Sequence, residues 1–162
     1  MAGDIKQKFG TEAQALTCTL ASLANNSARE STVVDNTSNL FVDALVMAQI
    51  KSGASGVSST GYVNIYAYAT VDAATPVYSD GATGSDAAIT LTSPPNVRLI
   101  GVMNVVANAT TYKGGPFSVA AAFGGVLPEK WGIIVENKTA AALDSTEGNH
   151  KKLYQGVYAQ YT

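Results

Sequence analysis

Charge is scarce in this chain. Asp, Glu, Lys and Arg make up 14% of its 162 residues, against roughly 25% in an ordinary soluble domain. A surface with so little charge leaves area for contact with partners, although Ser, Thr and Asn can also cover a β-sheet. The formal net charge is −2, so the basic footprint that nucleic-acid binding requires is missing. Lys151-Lys152 is the one basic pair and reads as the solvated start of a strand. A single cysteine, Cys18, excludes an intrachain disulfide; flanked by Thr17, Thr19 and Leu20, it reads as a small core side chain. A single histidine, His150, excludes a zinc site built from several Cys and His ligands. Its setting, E-G-N-H-K-K, suggests a surface loop.

Long apolar runs are missing too. No stretch approaches the roughly 20 residues of a membrane helix. The opening M-A-G-D-I-K-Q-K-F-G has no apolar signal core. No membrane association is expected, and synthesis is expected in the cytoplasm. The G-x-x-x-x-G-K-[ST] and G-x-G-x-x-G phosphate loops and the G-x-S-x-G nucleophile turn are lacking. These gaps leave no residue to assign as catalytic, metal-binding or cofactor-binding.

What is present is short strands punctuated by turns. Trp131, the only tryptophan, opens W-G-I-I-V-E-N-K-T. Trp131, Ile133 and Val135 share one face of an extended strand, with Ile134, Glu136 and Lys138 on the other, as expected of an inner strand. Tyr62 to Val71 alternates most cleanly. Val63, Ile65, Ala67, Ala69 and Val71 oppose Tyr62, Asn64, Tyr66, Tyr68 and Thr70. Leu40 to Lys51 is apolar at period two, with a helix as its rival, and a strand is favoured. Val97 to Ala107 is apolar on both faces and calls for cover on both sides. Further strands are expected at 16–24, 30–35, 88–92, 117–123 and 153–161, with turns at 110–116 and 140–150. Arg29 and Glu30 place charge on both faces of one strand start, which suggests a sheet edge. With no strong helix and about eight or nine strands, the pattern predicts an all-β, antiparallel, jelly-roll-like sandwich. It spans 14–162 as one domain behind a polar N-terminal arm, 1–13.

Three side-chain groups bear on function. Asp72, Asp80 and Asp86 share a loop that could offer oxygens to calcium, but their spacing is not that of an EF-hand, and a solvated loop with Asx-turns is the favoured reading. Glu129 and Glu136 bracket the tryptophan strand and read as edge and surface charges rather than a hydrolytic pair. Tyr62, Tyr66 and Tyr68 project from one strand face, where they can form a protein interface, cover the sheet, or stack on sugars. Ile5 and Phe9 are the apolar residues of the arm. These five are the candidate interface residues.

The stretches T-L-T-S-P-P-N-V-R-L-I-G-V-M-N-V-V-A (90–107), G-G-V-L-P-E-K-W-G-I-I-V-E-N-K-T (124–139) and K-L-Y-Q-G-V-Y-A-Q (152–160) resemble small β-sandwich virion proteins of tailed bacteriophages, the head decoration or cement class. That resemblance implies a capsid-surface protein without catalysis. It implies a homo-oligomer, commonly a trimer, seated on the major capsid protein, with the arm touching the shell or a neighbouring subunit. A carbohydrate- or receptor-binding module is the alternative.

Overall fold

The computed structural model describes residues 3–162. It contains eleven β-strands in two antiparallel sheets: β1 Ile5–Phe9, β2 Gln14–Ala15, β3 Ala28–Glu30, β4 Val34–Asp35, β5 Asp43–Lys51, β6 Tyr62–Thr70, β7 Ala87–Ile89, β8 Arg98–Asn104, β9 Thr111–Ser118, β10 Lys130–Lys138 and β11 Lys151–Tyr161. The first sheet runs β1-β11-β5-β9 and the second β7-β3-β10-β6-β8. Eight strands carry the architecture. The first of them pairs with the last (β1–β11), the second with the seventh (β3–β10), the third with the sixth (β5–β9) and the fourth with the fifth (β6–β8). That nested pairing, split between two sheets, is a jelly roll. The three short extra strands β2, β4 and β7 attach to β11, β10 and β3.

Period-two patterning places the core between the sheets. Ala44, Val46, Ala48 and Ile50 of β5 meet Val63, Ile65 and Ala67 of β6 and Trp131, Ile133 and Val135 of β10 in one buried cluster. The Trp131 ring packs edge-on against Tyr154, with centroids 5.1 Å apart. Leu16, Cys18 and Leu20 also point into this cluster. The 16–24 strand expected around them is replaced by irregular extended chain that follows the two-residue β2.

The apolar character of both faces of 97–107 has a specific cause. Tyr66 and Ile65 are adjacent on β6, yet they pair with Leu99 and Gly101 on β8, so Ile100 is an extra, bulged residue. A bulge switches which alternate residues face inward. The bulged Ile100 itself packs on the core, and beyond it Met103 and Val105 do. Leu99, Val102 and Val106 are left exposed, so the expected cover on the outer side is not supplied by this chain.

Two boundaries differ from the sequence expectation around β9. Residues 111–116 form a strand rather than a turn, and 119–122 form a one-turn helix, α1 (Val119–Ala122), rather than a strand. The Ser118 hydroxyl accepts the Ala121 N–H and donates to Asp43, whose carboxylate also accepts the Ala120 N–H at 2.9 Å. These capping bonds favour helix over strand for an alanine run. Glu30 does not lie at a sheet edge: β3 sits between β7 and β10, and Glu30 is buried. The segment expected as a polar arm, 1–13, holds the edge strand β1, with Ile5 opposite Tyr161 and Phe9 opposite Val157; Met1 and Ala2 lie outside the described residues.

Candidate functional site

The outer face of the second sheet is where the tyrosines sit. Loop 71–97 folds across half of it. Tyr68, Ile134, Tyr66, Ala28, Ala82 and Val97 make a second, smaller core there, with Tyr78 packed edge-on against Tyr68. Tyr68 is fully buried, and its hydroxyl donates to the Ser31 carbonyl at 2.6 Å. Its ring lies directly over Gly132, where any Cβ would collide with it. Tyr66 is also buried. Of the three tyrosines expected to offer an interface, two therefore cover their own sheet, because the loop supplies the apolar partner that the sequence left unspecified. Tyr62 is exposed.

Carboxylates hold the loop down. Glu30 accepts from the Thr83 N–H, the Thr83 hydroxyl and the Gly84 N–H. Asp86 takes the Arg29 guanidinium at 2.5 Å and the N–H and hydroxyl of Thr19. Asp80 takes Thr92, Asn96 and the Val97 N–H, and Asp72 takes Ala74 and Thr75. Asp72 thus closes a local turn, Asp80 ties two parts of the loop together, and Asp86 fastens the loop to Arg29 and Thr19; the described residues include no group of three or more Asp, Glu, His or Cys placed to share a metal ion. Burial pulls the Asp80 and Asp86 carboxyls upward, but their hydrogen bonds outweigh it and both sit below the usual range.

Beyond the loop, the sheet face is open and polar. Asn64 Nδ2 and the Tyr66 hydroxyl donate to one oxygen of Glu136 at 2.9 and 3.1 Å, and Lys138 Nζ lies 2.9 Å from the other. Register explains the assembly: Asn64 is paired with Glu136, and Tyr66 with Ile134. Partial burial raises the Glu136 carboxyl and the three donors more than reverse this, leaving it below its ordinary value. Tyr66 is pushed up to about 12 by burial and by the adjacent Glu136 charge. A cleft of about 500 Å³ opens here between Asn26, Glu136 and Lys138 on one side and Ala88, Leu91 and Ser93 on the other.

Two residues expected at the surface are structural instead. His150 is buried. Its Nδ1 lies 3.3 Å from the Lys51 N–H and its Nε2 3.0 Å from the Asp144 carbonyl. Lys152 is buried and pairs with Glu147, whose other oxygen accepts the Leu20 and Ala21 N–H groups. These contacts fasten loop 140–150 and segment 16–24 to the sandwich. Cys18 is buried as expected, and desolvation pushes its thiol up to about 12.

Exposed apolar residues gather at one end of the sandwich. Loops 36–42, 71–97 and 119–129 meet there, tied through Glu129, which receives the Asn36 N–H on its carbonyl and the Ala73 N–H on its carboxylate. Leu40, Val42, Val71, Val77 and Val126 stand out at that end with 49–86% of their surface free. Val71, Val77, Phe123 and Val126 share one depression with Arg98 at its wall. The β1–β11 ribbon extends past the start of β5 at the same end, since Val157 is opposite Asp43 and Tyr161 lies four residues further on. Ile5, Phe9 and Tyr161 are exposed along it. Phe9 also borders an apolar strip on the outside of the first sheet with Leu45, Met47, Pro116 and Leu153. Sequence reading picked out Ile5 and Phe9; it put Val42 and Val71 on the apolar faces of strands that in fact start at Asp43 and end at Thr70, and Val77 and Val126 stand alone in loops, so only the convergence of three loops makes a patch.

Comparison with protein families, curated proteins and solved structures finds no match to this chain.

Proposed function

We propose that the protein is a non-enzymatic structural component of a viral shell: a homo-oligomeric β-sandwich that decorates a bacteriophage head by docking onto itself and onto the major capsid protein. The observation that carries this reading is the apolar end built by Leu40, Val42, Val71, Val77 and Val126 beside Ile5, Phe9 and Tyr161. Monomeric domains rarely leave so many large aliphatic side chains in water side by side, and contiguous patches of this kind serve as docking surfaces. The low charge of the chain and the resemblance of 90–107, 124–139 and 152–160 to head decoration proteins point the same way. The accessible surface is 8162 Å², and two symmetric contacts of about 800 Å² each would hide roughly a fifth of it. Docking at many equivalent sites on a lattice adds avidity to a modest single contact.

The test is co-sedimentation with phage heads assembled from the cognate major capsid protein. The wild-type protein is expected to pellet with the heads, and a Val71→Asp/Val126→Asp double variant to stay in the supernatant. A wild-type protein that never pellets, or a variant that pellets equally well, would count against the proposal.

A further inference from the structure

The polar cleft on the second sheet is remote in character from the apolar end and is not used by shell docking. We propose that it binds a neutral oligosaccharide. Three features of the cleft argue for this class of ligand. Its volume, about 500 Å³, lies within the range of small-molecule sites. Its charges cancel: Glu136 and Lys138 are paired at 2.9 Å, so neither an anion nor a cation meets a free counter-charge. Its hydrogen-bonding groups are fixed in advance. Glu136 is held by Asn64, Tyr66 and Lys138, and Lys138 also reaches the Asn26 side chain at 3.3 Å. A polyol needs alternating donors and acceptors at set positions, and preorganised groups lower the ordering cost of binding it.

The opposite wall completes the match. Thr90, Thr92 and Ser93 bring hydroxyls, while Ile89, Leu91 and Pro95 give an apolar strip against which the C–H face of a sugar ring can lie. A flat aromatic base is a poorer fit, because the one aromatic ring in the cleft, that of Tyr66, is buried with its hydroxyl on Glu136 and offers little face for stacking. The wall also has a defined position. It follows β7, which is paired to β3, and continues into the turn that Asp80 holds through Thr92 and Asn96.

The experiment is an array of neutral and charged glycans probed with the intact protein, followed by titration calorimetry of any binder. Two variants locate the site. Ser93→Trp puts bulk into the cleft from its exposed wall, at a residue outside the polar network. Glu136→Gln removes the fixed charge, and its native fold is checked by circular dichroism. A neutral oligosaccharide is expected to bind, with affinity reduced about tenfold or more by Ser93→Trp, and by a similar factor in Glu136→Gln, as loss of a charge-assisted hydrogen bond implies. The Val71→Asp/Val126→Asp protein should bind the glycan as the wild type does, which separates this site from the shell-docking end. Absence of any glycan binding, selectivity for charged glycans alone, or affinity that survives Ser93→Trp would overturn the assignment.

Discussion

Glu30 and Thr83 are 53 residues apart in sequence, yet the Glu30 carboxylate accepts the Thr83 N–H at 2.9 Å and the Thr83 hydroxyl at 2.8 Å. This contact from the buried Glu30 fastens loop 71–97 across the second sheet and so decides which tyrosines reach solvent. Replacing one carboxylate oxygen with an amide puts a donor where an acceptor is needed. Glu30→Gln should therefore destabilise the protein by roughly 1–3 kcal/mol. The loss should be concentrated in the loop: amide exchange at 79–97 should accelerate far more than exchange in β5 or β10, and mass-spectrometric exchange would show it.

Tyr68 and Gly132 form the second control point. The ring occupies the space above Gly132, so Gly132→Ala pushes Tyr68 off the sheet and should cost roughly 1–3 kcal/mol by overpacking. Tyr68→Phe keeps the ring and loses only the 2.6 Å bond to Ser31, leaving that carbonyl short of a donor, and should cost roughly 0.5–1.5 kcal/mol. Urea denaturation of both variants gives the ranking.

Stability should fall in acid through the carboxylates that fasten the loops. Asp144, bonded to Asn149, Thr146 and Lys51, is held near about 2, against 3.8 in the unfolded chain. Asp72, Asp80, Asp86, Glu136 and Glu147 are also lowered. Groups that bind protons more weakly when folded stabilise the fold above their unfolded values, and that contribution is lost as pH falls through their folded values. Melting temperature should thus hold steady down to about pH 4.5 and drop from there to about pH 2, the ordinary carboxyl values marking the upper edge of the window. Asp144→Asn should flatten the lowest part of that profile.

Cys18 titrates in the opposite direction. Its folded value is about 12, against 9.0 when exposed, so its contribution is complete below pH 9 and is lost as pH rises toward the folded value. A thiol reagent at pH 8 should leave Cys18 unmodified in the native protein and label it fully in denaturant. Labelling of the native protein at a rate comparable with a free thiol would show that segment 16–24 opens readily.

The sandwich was legible because its inner faces obey period two without interruption: Val63, Ile65 and Ala67, then Trp131, Ile133 and Val135, declare a buried side, and they do line the main core. Turns rich in Gly, Pro and Asn marked the strand ends. The bulge at Ile100 was not legible, since it shows in sequence only as an apolar run without a polar face. Nor was the fate of Tyr66 and Tyr68, because alternation says which side a ring leaves the strand and not what lies on that side. His150 and Lys152 look like surface residues until the Asp144 carbonyl and Glu147 are brought to them by a returning loop. Pairings made over long separations need the whole topology, whereas local patterning needs only a few neighbours.

The central claim is that the apolar end is a docking surface rather than an accident of composition. The solution mass at micromolar concentration, by sedimentation equilibrium, tests it most directly. The account predicts an assembly, about three times the 16.7 kDa chain mass if the trimer of the resembling class applies, and its dissociation in Val71→Asp/Val126→Asp. A wild-type protein that sediments as a 16.7 kDa monomer throughout that range would contradict it.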